Sequence, residues 1–284
     1  MREYIALFKL RIVALLLFVA LVSAIVASRG ELLPGRFLIL FAAGALASVG
    51  ASILNHYFDR DIDALSERTR RRPIPAGRVA PHTACWLGIF LVGVAILLSS
   101  KLNYLTSIYI LTGALVYVVV YTIWLKRRSV LNIVIGGTAG SCAVLAGYAA
   151  MEGETSLAAV LAALLVFLWT PPHFWAFAIV HRRAYQQAAV PMLPVVHGDQ
   201  RAARLIMMHT VLLVQASLLL YALGYFGTIY LAVALLFGLG FVAFNARLML
   251  APTKIWAWRS YKFSGIYLIA IFAGMLLDIV FKQA

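Results

Sequence analysis

The sequence predicts an all-α integral membrane protein with nine transmembrane helices. Its 284 residues are 64% hydrophobic and only 12% charged, and the mean hydropathy of +0.95 is higher than ordinary soluble domains reach. Nine apolar stretches recur along the chain, most of them close to the ~20 residues that span a hydrocarbon layer. Because backbone polar groups in lipid need partners within the chain, these spans should be helices rather than open strands.

The predicted spans follow one another along a single transmembrane domain, residues 1–284. In order they are Ile12 to Ala27, Phe37 to Phe58, Ala84 to Ser99, Tyr104 to Trp124, Leu131 to Ala150, Leu157 to Val180, Leu205 to Leu223, Phe226 to Phe244 and Phe263 to Phe281. The first span has no small-residue cleavage pattern, so we expect it to be retained rather than removed as a secretory signal. No Arg- and Ser-rich transit segment precedes it, which favours a prokaryotic plasma membrane.

The cationic residues predict the orientation. If the spans alternate, 20 of the 24 Lys and Arg residues fall on the side of the N-terminus, and the other side holds Arg29, Arg36, Lys101 and Lys282. Positive charge accumulates on the cytoplasmic side, so we expect the N-terminus in the cytoplasm and the C-terminus outside. The cytoplasmic loops are then about 59–83, 125–130, 181–204 and 245–262. Because this topology accounts for the net charge of +14, the charge does not indicate a nucleic-acid partner.

Acidic side chains are concentrated where the second span ends, in the stretch Asn55-His56-Tyr57-Phe58-Asp59-Arg60-Asp61-Ile62-Asp63. If the helix continues, Asn55, Asp59 and Asp63 fall at i, i+4 and i+8 on one face, about 6 Å apart along the axis. Such a ladder of oxygen ligands suits Mg²⁺ bound together with substrate phosphate oxygens. A solvated, charged loop at the membrane edge is the alternative interpretation.

Basic residues follow the acids and recur near the other spans. Prolines at 73, 75 and 81 end helical structure, so the Arg-rich segment 68–72 should form an ordered loop or a short cap. Its arginines either mark the cytoplasmic side or fold back over a diphosphate bound at the acids. Lys126 and Arg127 lie in a short connection and are expected to reach the same cavity. Lys9 and Arg11 either set the topology or contact a phosphate.

The sixth span ends in a sequence that is unusual for a membrane helix, Leu168-Trp169-Thr170-Pro171-Pro172-His173-Phe174-Trp175-Ala176. Pro171 and Pro172 should kink the helix and free backbone carbonyls towards a cavity. His173 lies about two turns inside the cytoplasmic end, where an ionisable residue is a candidate functional residue. It is either a haem or metal ligand or a histidine with satisfied hydrogen bonds.

Small residues predict where helices cross closely. They are Gly44, Ala47, Gly50 and Ala51 in the second span and the Ile-Gly-Gly-Thr-Ala-Gly run at 135–140. Cys85 and Cys142 lie in apolar spans without a CxxC pair or a histidine at ligand spacing, so we interpret them as packing residues rather than disulfide or metal partners.

The ordered set of motifs resembles the UbiA superfamily of intramembrane prenyltransferases and, within it, the protohaem IX farnesyltransferases, or haem O synthases. The superfamily's first aspartate motif, Asn-x-x-x-Asp-x-x-x-Asp, matches Asn55, Asp59 and Asp63. The segments similar to the narrower family are Asp59 to Asp63, Arg68-Thr69, Arg72-Pro73, Tyr121-Thr122 to Lys126-Arg127, Asn132 to Gly137, Trp169 to Ala176 and Val190 to Val196. They cover most of the chain between residues 55 and 198.

The resemblance implies nine helices around a central cavity that opens to the cytoplasm and the bilayer. It implies Mg²⁺-dependent binding of farnesyl diphosphate and transfer of the farnesyl group to the 2-vinyl group of haem B, with water completing a hydroxyethylfarnesyl substituent. General chemistry agrees, because ionisation of an allylic diphosphate needs charge stabilisation on the leaving group and a dry chamber around the carbocation. The implied partners are farnesyl diphosphate, haem B, the bilayer and a downstream haem A synthase or terminal oxidase assembly.

The resemblance also assigns roles to residues. Asn55, Asp59 and Asp63 are expected to hold Mg²⁺ and to be catalytic. The expected substrate-binding residues are Arg68, Arg72, Lys126, Arg127, His173, His181, Arg182, Arg183 and Tyr185, of which Arg72, Lys126 and Arg127 clamp the diphosphate.

The sequence departs from the family pattern in two places. The second acidic motif is represented by His181-Arg182-Arg183-Ala184-Tyr185, which has Ala184 where haem-directed relatives usually keep an acid. Arg182 and Arg183 are expected either to neutralise diphosphate in place of a second ion or to mark a divergent enzyme. Ala143 and Val144 stand where relatives often have paired prolines, which alters the predicted acceptor wall.

Two other functions remain open at this point. A prenyltransferase with a quinone precursor or another lipid as acceptor would share the donor site, although the Trp169 to Trp175 and Pro191 to Pro194 segments favour haem. A non-enzymatic alternative is a transporter of haem or of an anion. No inverted repeat with paired broken helices is evident in the sequence, which disfavours a transporter.

Overall fold

The structure, a computed structural model, describes residues 2–283. Within that range, nine helices are long and apolar enough to cross a bilayer, which confirms the predicted fold class. They are α1 (Leu10–Ala27), α2 (Pro34–Phe58), α3 (Pro81–Ser99), α4 (Tyr104–Leu125), α5 (Asn132–Glu152), α6 (Leu157–Val180), α7 (Leu193–Ala222), α8 (Thr228–Leu250) and α9 (Lys254–Gln283). The predicted location of the N-terminus in the cytoplasm and of the C-terminus outside concerns Met1 and Ala284, which lie outside the described residues.

Short helices occupy the connections on the side that carries most of the positive charge, here called the cationic end. Arg2–Ile5 precedes α1, Arg60–Leu65 follows α2, and Arg182–Gln187 follows α6. The expected loop 181–204 is therefore shorter than predicted, because α7 already begins at Leu193. The expected loop 245–262 shrinks to residues 251–253 between α8 and α9. Hydropathy marks only the part of a helix that lies in hydrocarbon, so it misses polar turns that extend beyond it.

α4 and α7 depart from regular α geometry, and α5 is interrupted for one residue at Gly137. The last ten residues of α4, Val116–Leu125, form a π-helix, which widens the backbone spiral and is often found at functional sites. In α7, Gly198 adopts φ +81° and ψ 165°, a conformation that favours glycine, and it interrupts the helix one turn after its start. α6 runs as one helix through both Pro171 and Pro172.

Glycines allow several helices to approach closely, as the sequence predicts. A Cβ on Gly50 of α2 would lie 2.8 Å from the carbonyl oxygen of Gly88 in α3, so the two backbones touch. A Cβ on Gly137 of α5 would lie 3.0 Å from Cβ of Thr170 in α6. A Cβ on Gly147 of α5 would overlap the carbonyl oxygen of Ala20 in α1. These contacts confirm the predicted close crossings of the second and fifth spans.

A cavity of about 230 Å³ lies between α1, α2, α4, α5, α6 and α9. Its wall is almost entirely apolar and contains many small residues, among them Gly44, Ala47, Gly113 and Gly140. The main hydrophobic core lies beside it and joins α5 and α6 to α7, α8 and α9 through residues such as Leu165. The helices therefore enclose an apolar chamber, as the family resemblance implies.

Candidate functional site

The site is built on the junction between α2 and the short helix Arg60–Leu65. α2 ends at Phe58, and Asp59 has φ −87° and ψ −1°. The helical spacing nevertheless continues, because the amide of Asp59 donates to the carbonyl of Asn55 at 2.9 Å and that of Asp63 donates to the carbonyl of Asp59 at 2.8 Å. We call Asn55, Asp59 and Asp63 the oxygen ladder. Their relative exposures are 2%, 0% and 5%, so all three side chains face the interior rather than lipid or water.

Hydrogen bonds fix the middle of the oxygen ladder. The Asn55 amide nitrogen donates to Oδ2 of Asp59 at 2.8 Å and to Oγ1 of Thr122 at 2.9 Å. Thr122 in turn donates to the carbonyl of Tyr117 at 2.8 Å. Because both α4 residues belong to the π-helix, the wide turn of α4 anchors the ladder from the opposite side.

Three basic side chains contact the oxygen ladder, and we call them the cation trio (Lys9, Arg72 and Lys126). Lys9 Nζ donates to Oδ1 of Asn55, and Lys126 Nζ pairs with Oδ2 of Asp59. Arg72 Nη1 lies 2.6 Å from Oδ2 of Asp63. The structure thus brings Arg72 and Lys126 to the predicted metal ligands, with Arg72 folded back onto Asp63.

Lys9 occupies the junction between this polar cluster and the apolar cavity. Its Nζ also donates to the hydroxyl of Tyr117 at 3.1 Å, and the Tyr117 ring lines the cavity. Lys9 has φ +49°, a left-handed conformation that costs a non-glycine residue energy, just before α1 begins. Burial lowers the pKa of Lys9 to about 8, with Arg72 acting in the same direction and Asp59 opposing it.

The oxygen ladder fits a hard divalent cation. Oδ1 of Asp59 is buried without a hydrogen-bond partner in the described part of the chain, and such an oxygen is a free ligand position. No group of three or more His, Cys, Asp or Glu residues at metal-binding spacing occurs among residues 2–283. The donor set is therefore two carboxylates and one amide oxygen, which matches the way Mg²⁺ combines few protein ligands with substrate phosphates.

Arg127 lies elsewhere than its sequence neighbour Lys126. Its guanidinium forms a two-pronged pair with Asp61, at 2.5 and 2.7 Å, and also donates to the carbonyl of Phe58 at 2.6 Å. The Asp61 side chain is 62% exposed. The hydrogen bond from Arg127 lowers the pKa of Asp61, and the same bond raises the pKa of Arg127. Arg127 is thus engaged at the surface, whereas the sequence places it in the cavity.

Arg68, His181 and Tyr185 form a second group of candidate residues near the cationic end of α6. The Arg68 guanidinium lies 5.8 Å from the ring centre of Phe177, and the His181 ring packs on the same phenylalanine at 4.2 Å. Burial lowers the pKa of His181, and the charge of Arg68 adds to this effect. Burial raises the pKa of Tyr185, and the positive charges of Arg68 and Arg72 oppose the rise.

The two other predicted cations of this region take different positions. Arg182 Nη1 lies 3.5 Å from Oδ1 of Asp199, which follows the break at Gly198 in α7. Arg183 is exposed. Asp199 is the acidic residue closest in sequence to the segment 181–185. The motif does not identify it because it lies outside that segment.

His173 sits in an aromatic cage on the cavity wall. Its ring stacks on Trp169 at 4.3 Å and packs against Tyr261 at 4.5 Å. Its Nδ1 lies 2.6 Å from Oγ of Ser264, and that hydroxyl donates to the carbonyl of Tyr261 at 2.7 Å. When the Ser264 hydroxyl donates to Tyr261, Nδ1 is the donor of the first bond and Nε2 carries the lone pair of the ring.

The sequence leaves several residues of the site undetected. Thr122 lies in a segment that resembles the family but receives no role from the sequence. Tyr117 resembles an ordinary core residue, and Ser264 and Tyr261 lie far from any motif. From the sequence, Lys9 could either set the topology or contact a phosphate. Only the fold shows that its amine reaches Asn55, 46 residues away. The common reason is that each of these partners comes from another helix, which sequence spacing does not reveal.

Comparison with known proteins identifies the family. A sequence model described as the UbiA prenyltransferase family matches residues 16–269. A relative named protoheme IX farnesyltransferase, from Symbiobacterium thermophilum, is 43% identical over 98% of this chain and 94% of its own length. At 21% identity, a solved structure of digeranylgeranylglyceryl phosphate synthase has a TM-score of 0.83 over 98% of both chains. A UbiA homologue from Archaeoglobus fulgidus, solved with DMAPP and Mg²⁺, has a TM-score of 0.70 over 96% of this chain and 99% of its own, at 16% identity.

Proposed function

The chain belongs to the UbiA prenyltransferase family, and from this premise we propose that it transfers the farnesyl group of farnesyl diphosphate to the 2-vinyl group of haem B. Water adds the hydroxyl at the former vinyl group, so haem B, farnesyl diphosphate and water give haem O and diphosphate, in the pathway to haems O and A. The observation that carries the reaction type is the buried oxygen ladder at the mouth of an apolar cavity. The name shared by the relatives supports haem B as the acceptor and farnesyl diphosphate as the donor.

The oxygen ladder is the proposed binding site for the donor head. Asn55, Asp59 and Asp63 would hold Mg²⁺, and Arg72 and Lys126 lie beside them, where they would bind diphosphate oxygens. When bound, the metal ion offsets the negative charge that develops on the departing diphosphate. As the bond between farnesyl C1 and the diphosphate oxygen breaks, the two basic side chains stabilise the electron pair left on that oxygen.

The apolar cavity is the proposed chamber for the farnesyl tail. Tyr117 stands where the cavity meets the oxygen ladder, so C1 of the donor would lie near its ring while the tail extends between α1, α2 and α5. The apolar wall offers water few hydrogen-bonding partners, which would protect an allylic cation from premature hydrolysis.

The aromatic cage around His173 is the proposed contact for the flat acceptor. Trp169 and His173 line the cavity, where their rings are proposed to contact a porphyrin, and Nε2 of His173 is proposed to bind the haem iron or an acceptor group. Arg68 and His181 pack on Phe177, which also contacts Tyr261 of the cage. These two residues and the neighbouring Tyr185 are proposed to contact substrate there. Arg127, Arg182 and Arg183 are proposed as outer cations, for which haem propionates are suitable partners.

The protein is a multi-pass membrane protein, and its finer placement is part of the proposal. The bias of 20 of 24 cationic residues supports a cytoplasmic cationic end, with the C-terminus outside a prokaryotic plasma membrane. The whole chain then forms one prenyltransferase domain. A haem A synthase or terminal oxidase assembly is the proposed recipient of the product.

The purified protein, incubated with farnesyl diphosphate, Mg²⁺ and an acceptor, tests this proposal. With haem B, mass spectrometry should detect haem O. The same reaction with a quinone-ring precursor should leave the acceptor unchanged. Prenylation of the quinone precursor with haem B left intact would reassign the acceptor, and no prenyl transfer to any acceptor in the panel would overturn the proposed reaction.

A further inference from the structure

Every ligand of the oxygen ladder already has a basic partner. Lys9 contacts Oδ1 of Asn55, Lys126 contacts Oδ2 of Asp59, and Arg72 contacts Oδ2 of Asp63. These are side-chain oxygens that a metal ion would use. The cation trio therefore competes with a metal for these three oxygens, while Oδ1 of Asp59 carries no hydrogen bond in the described chain.

We propose that the cation trio makes binding of the metal ion and of the diphosphate mutually dependent: Lys9, Arg72 and Lys126 leave the oxygen ladder for the diphosphate as the metal takes their place. Lys9 is thereby assigned as a third diphosphate-binding residue. This inference rests on the proposed function, because it takes the donor to be a metal-bound diphosphate.

Charge explains the dependence. Two carboxylates face three basic side chains in a cluster where Asp59 is 0% and Asp63 is 5% exposed. A divalent ion entering alone would displace the cations into the same buried space and raise its positive charge, which a low-dielectric site penalises. A diphosphate carries several negative charges and gives each displaced cation a new partner. Binding at the oxygen ladder is therefore favourable only when the metal ion and the diphosphate bind together.

The position of Lys9 suits it to this exchange. Its amine is held between Asn55 and the hydroxyl of Tyr117, at the boundary between the polar cluster and the apolar cavity. A diphosphate bound at the ladder with its tail in the cavity has its ester oxygen at this same boundary. Lys9 can thus contact the ester end of the diphosphate, beside Arg72 and Lys126.

Binding of Mn²⁺ and inorganic pyrophosphate to the purified full-length chain tests the exchange without haem or a prenyl group. Free Mn²⁺ is held at set concentrations, and bound Mn²⁺ is measured by electron paramagnetic resonance with and without pyrophosphate. We expect each ligand to tighten the binding of the other by about tenfold or more, and by the same factor in both directions. Equal Mn²⁺ affinity with and without pyrophosphate would overturn the proposal.

Neutral variants separate exchange from a structural role. In Lys126→Met, Oδ2 of Asp59 loses its cation, so Mn²⁺ alone should bind more tightly than to the wild type while pyrophosphate binding weakens. Lys9→Met should weaken pyrophosphate binding, and Lys9→Arg should restore it. Lys101→Met, at the opposite end of the bundle, is the matched control and should change neither ligand.

A gain in Mn²⁺ affinity distinguishes the exchange from simple damage, because a misfolded variant loses both ligands. If Lys126→Met binds Mn²⁺ alone no better than the wild type, the proposal fails even where the wild-type coupling is seen. Failure of the proposed function is a separate result, since formation of haem O is not measured in these experiments. An enzyme that forms haem O yet binds Mn²⁺ independently of pyrophosphate would refute the exchange alone.

Discussion

Asp59 and Asp61 are two positions apart but lie in different environments. Asp59 is 0% exposed, contacts Lys126 and keeps one oxygen without a hydrogen bond in the described chain. The Asp61 side chain is 62% exposed and is paired with Arg127. Helical spacing accounts for the difference, because a step of two residues points to the opposite side of the helix whereas a step of four returns to the same face.

The two aspartates provide a matched test of the oxygen ladder. Asp59→Asn removes a charged metal ligand and should lower the rate of haem O formation by about a hundredfold or more. Asp61→Asn removes one exposed ion pair, which contributes about 0–1 kcal/mol, so its rate should fall less than about fivefold. Initial rates at saturating haem B, measured by mass spectrometry, would show this contrast. Similar losses in both variants would contradict the assignment of Asp59 to the metal.

Arg72 and Arg259 form a second matched pair. Arg72 contacts Asp63 at 2.6 Å, whereas Arg259 is exposed and lies over the Trp256 ring at 4.7 Å. Arg72→Ala should therefore raise the farnesyl diphosphate concentration needed for half-maximal rate and lower the maximal rate by about a hundredfold. Arg259→Ala should leave both within about twofold of the wild type. Steady-state kinetics with varied donor concentration measures the difference, and equal effects would remove Arg72 from the site.

At the scale of helices, the π-helix of α4 and the close crossing of α2 with α3 position the ladder. Thr122, in the π-helix, holds Asn55 from one side at 2.9 Å. On the other side, Gly50 and Gly88 bring the backbones of α2 and α3 into contact. Residues on the two flanking helices therefore determine where the end of α2 lies, although neither helix supplies a predicted metal ligand.

Two glycines of α3 test how much the close crossing contributes. A Cβ at Gly88 would lie 2.7 Å from Cγ of Leu54 and 3.0 Å from the carbonyl of Gly50, whereas one at Gly93 meets nothing within 4 Å. Gly88→Ala should therefore destabilise the protein by about 1–3 kcal/mol through overpacking. Gly93→Ala should be neutral or slightly stabilising, because alanine favours helix. Thermal unfolding in detergent measures both, and a Gly88→Ala protein as stable as the wild type would show that α2 and α3 are not tightly packed there.

For the molecule as a whole, hydropathy predicts the number and order of the spans, because each must cover the hydrocarbon thickness. It does not predict where the helices end. α7 begins at Leu193 and α9 at Lys254, both well before their apolar stretches, since polar helical turns continue outside the lipid. The π-helix of α4 is equally invisible, because its apolar residues fit either helical period.

The candidate site also has a part that the sequence predicts and a part that it does not. The oxygen ladder is predictable because its three members keep helical spacing from the end of α2 into the short helix Arg60–Leu65. Its basic partners come from elsewhere, with Lys9 and Lys126 lying 46 and 67 residues from Asn55 and Asp59. Arg127 illustrates the limit, because two adjacent basic residues of one short connection point to different carboxylates. Only the packed fold decides which of them reaches the interior.

The most direct test of the central claim is the position of a metal ion in crystals grown with Mn²⁺ and an unreactive farnesyl diphosphate analogue. Anomalous scattering locates Mn²⁺ independently of the protein atoms. We predict a peak at about 2.1 Å from a carboxylate oxygen of Asp59 or Asp63, bridging to the diphosphate, with the farnesyl chain in the apolar cavity. A diphosphate and metal bound away from Asn55, Asp59 and Asp63 would contradict the account.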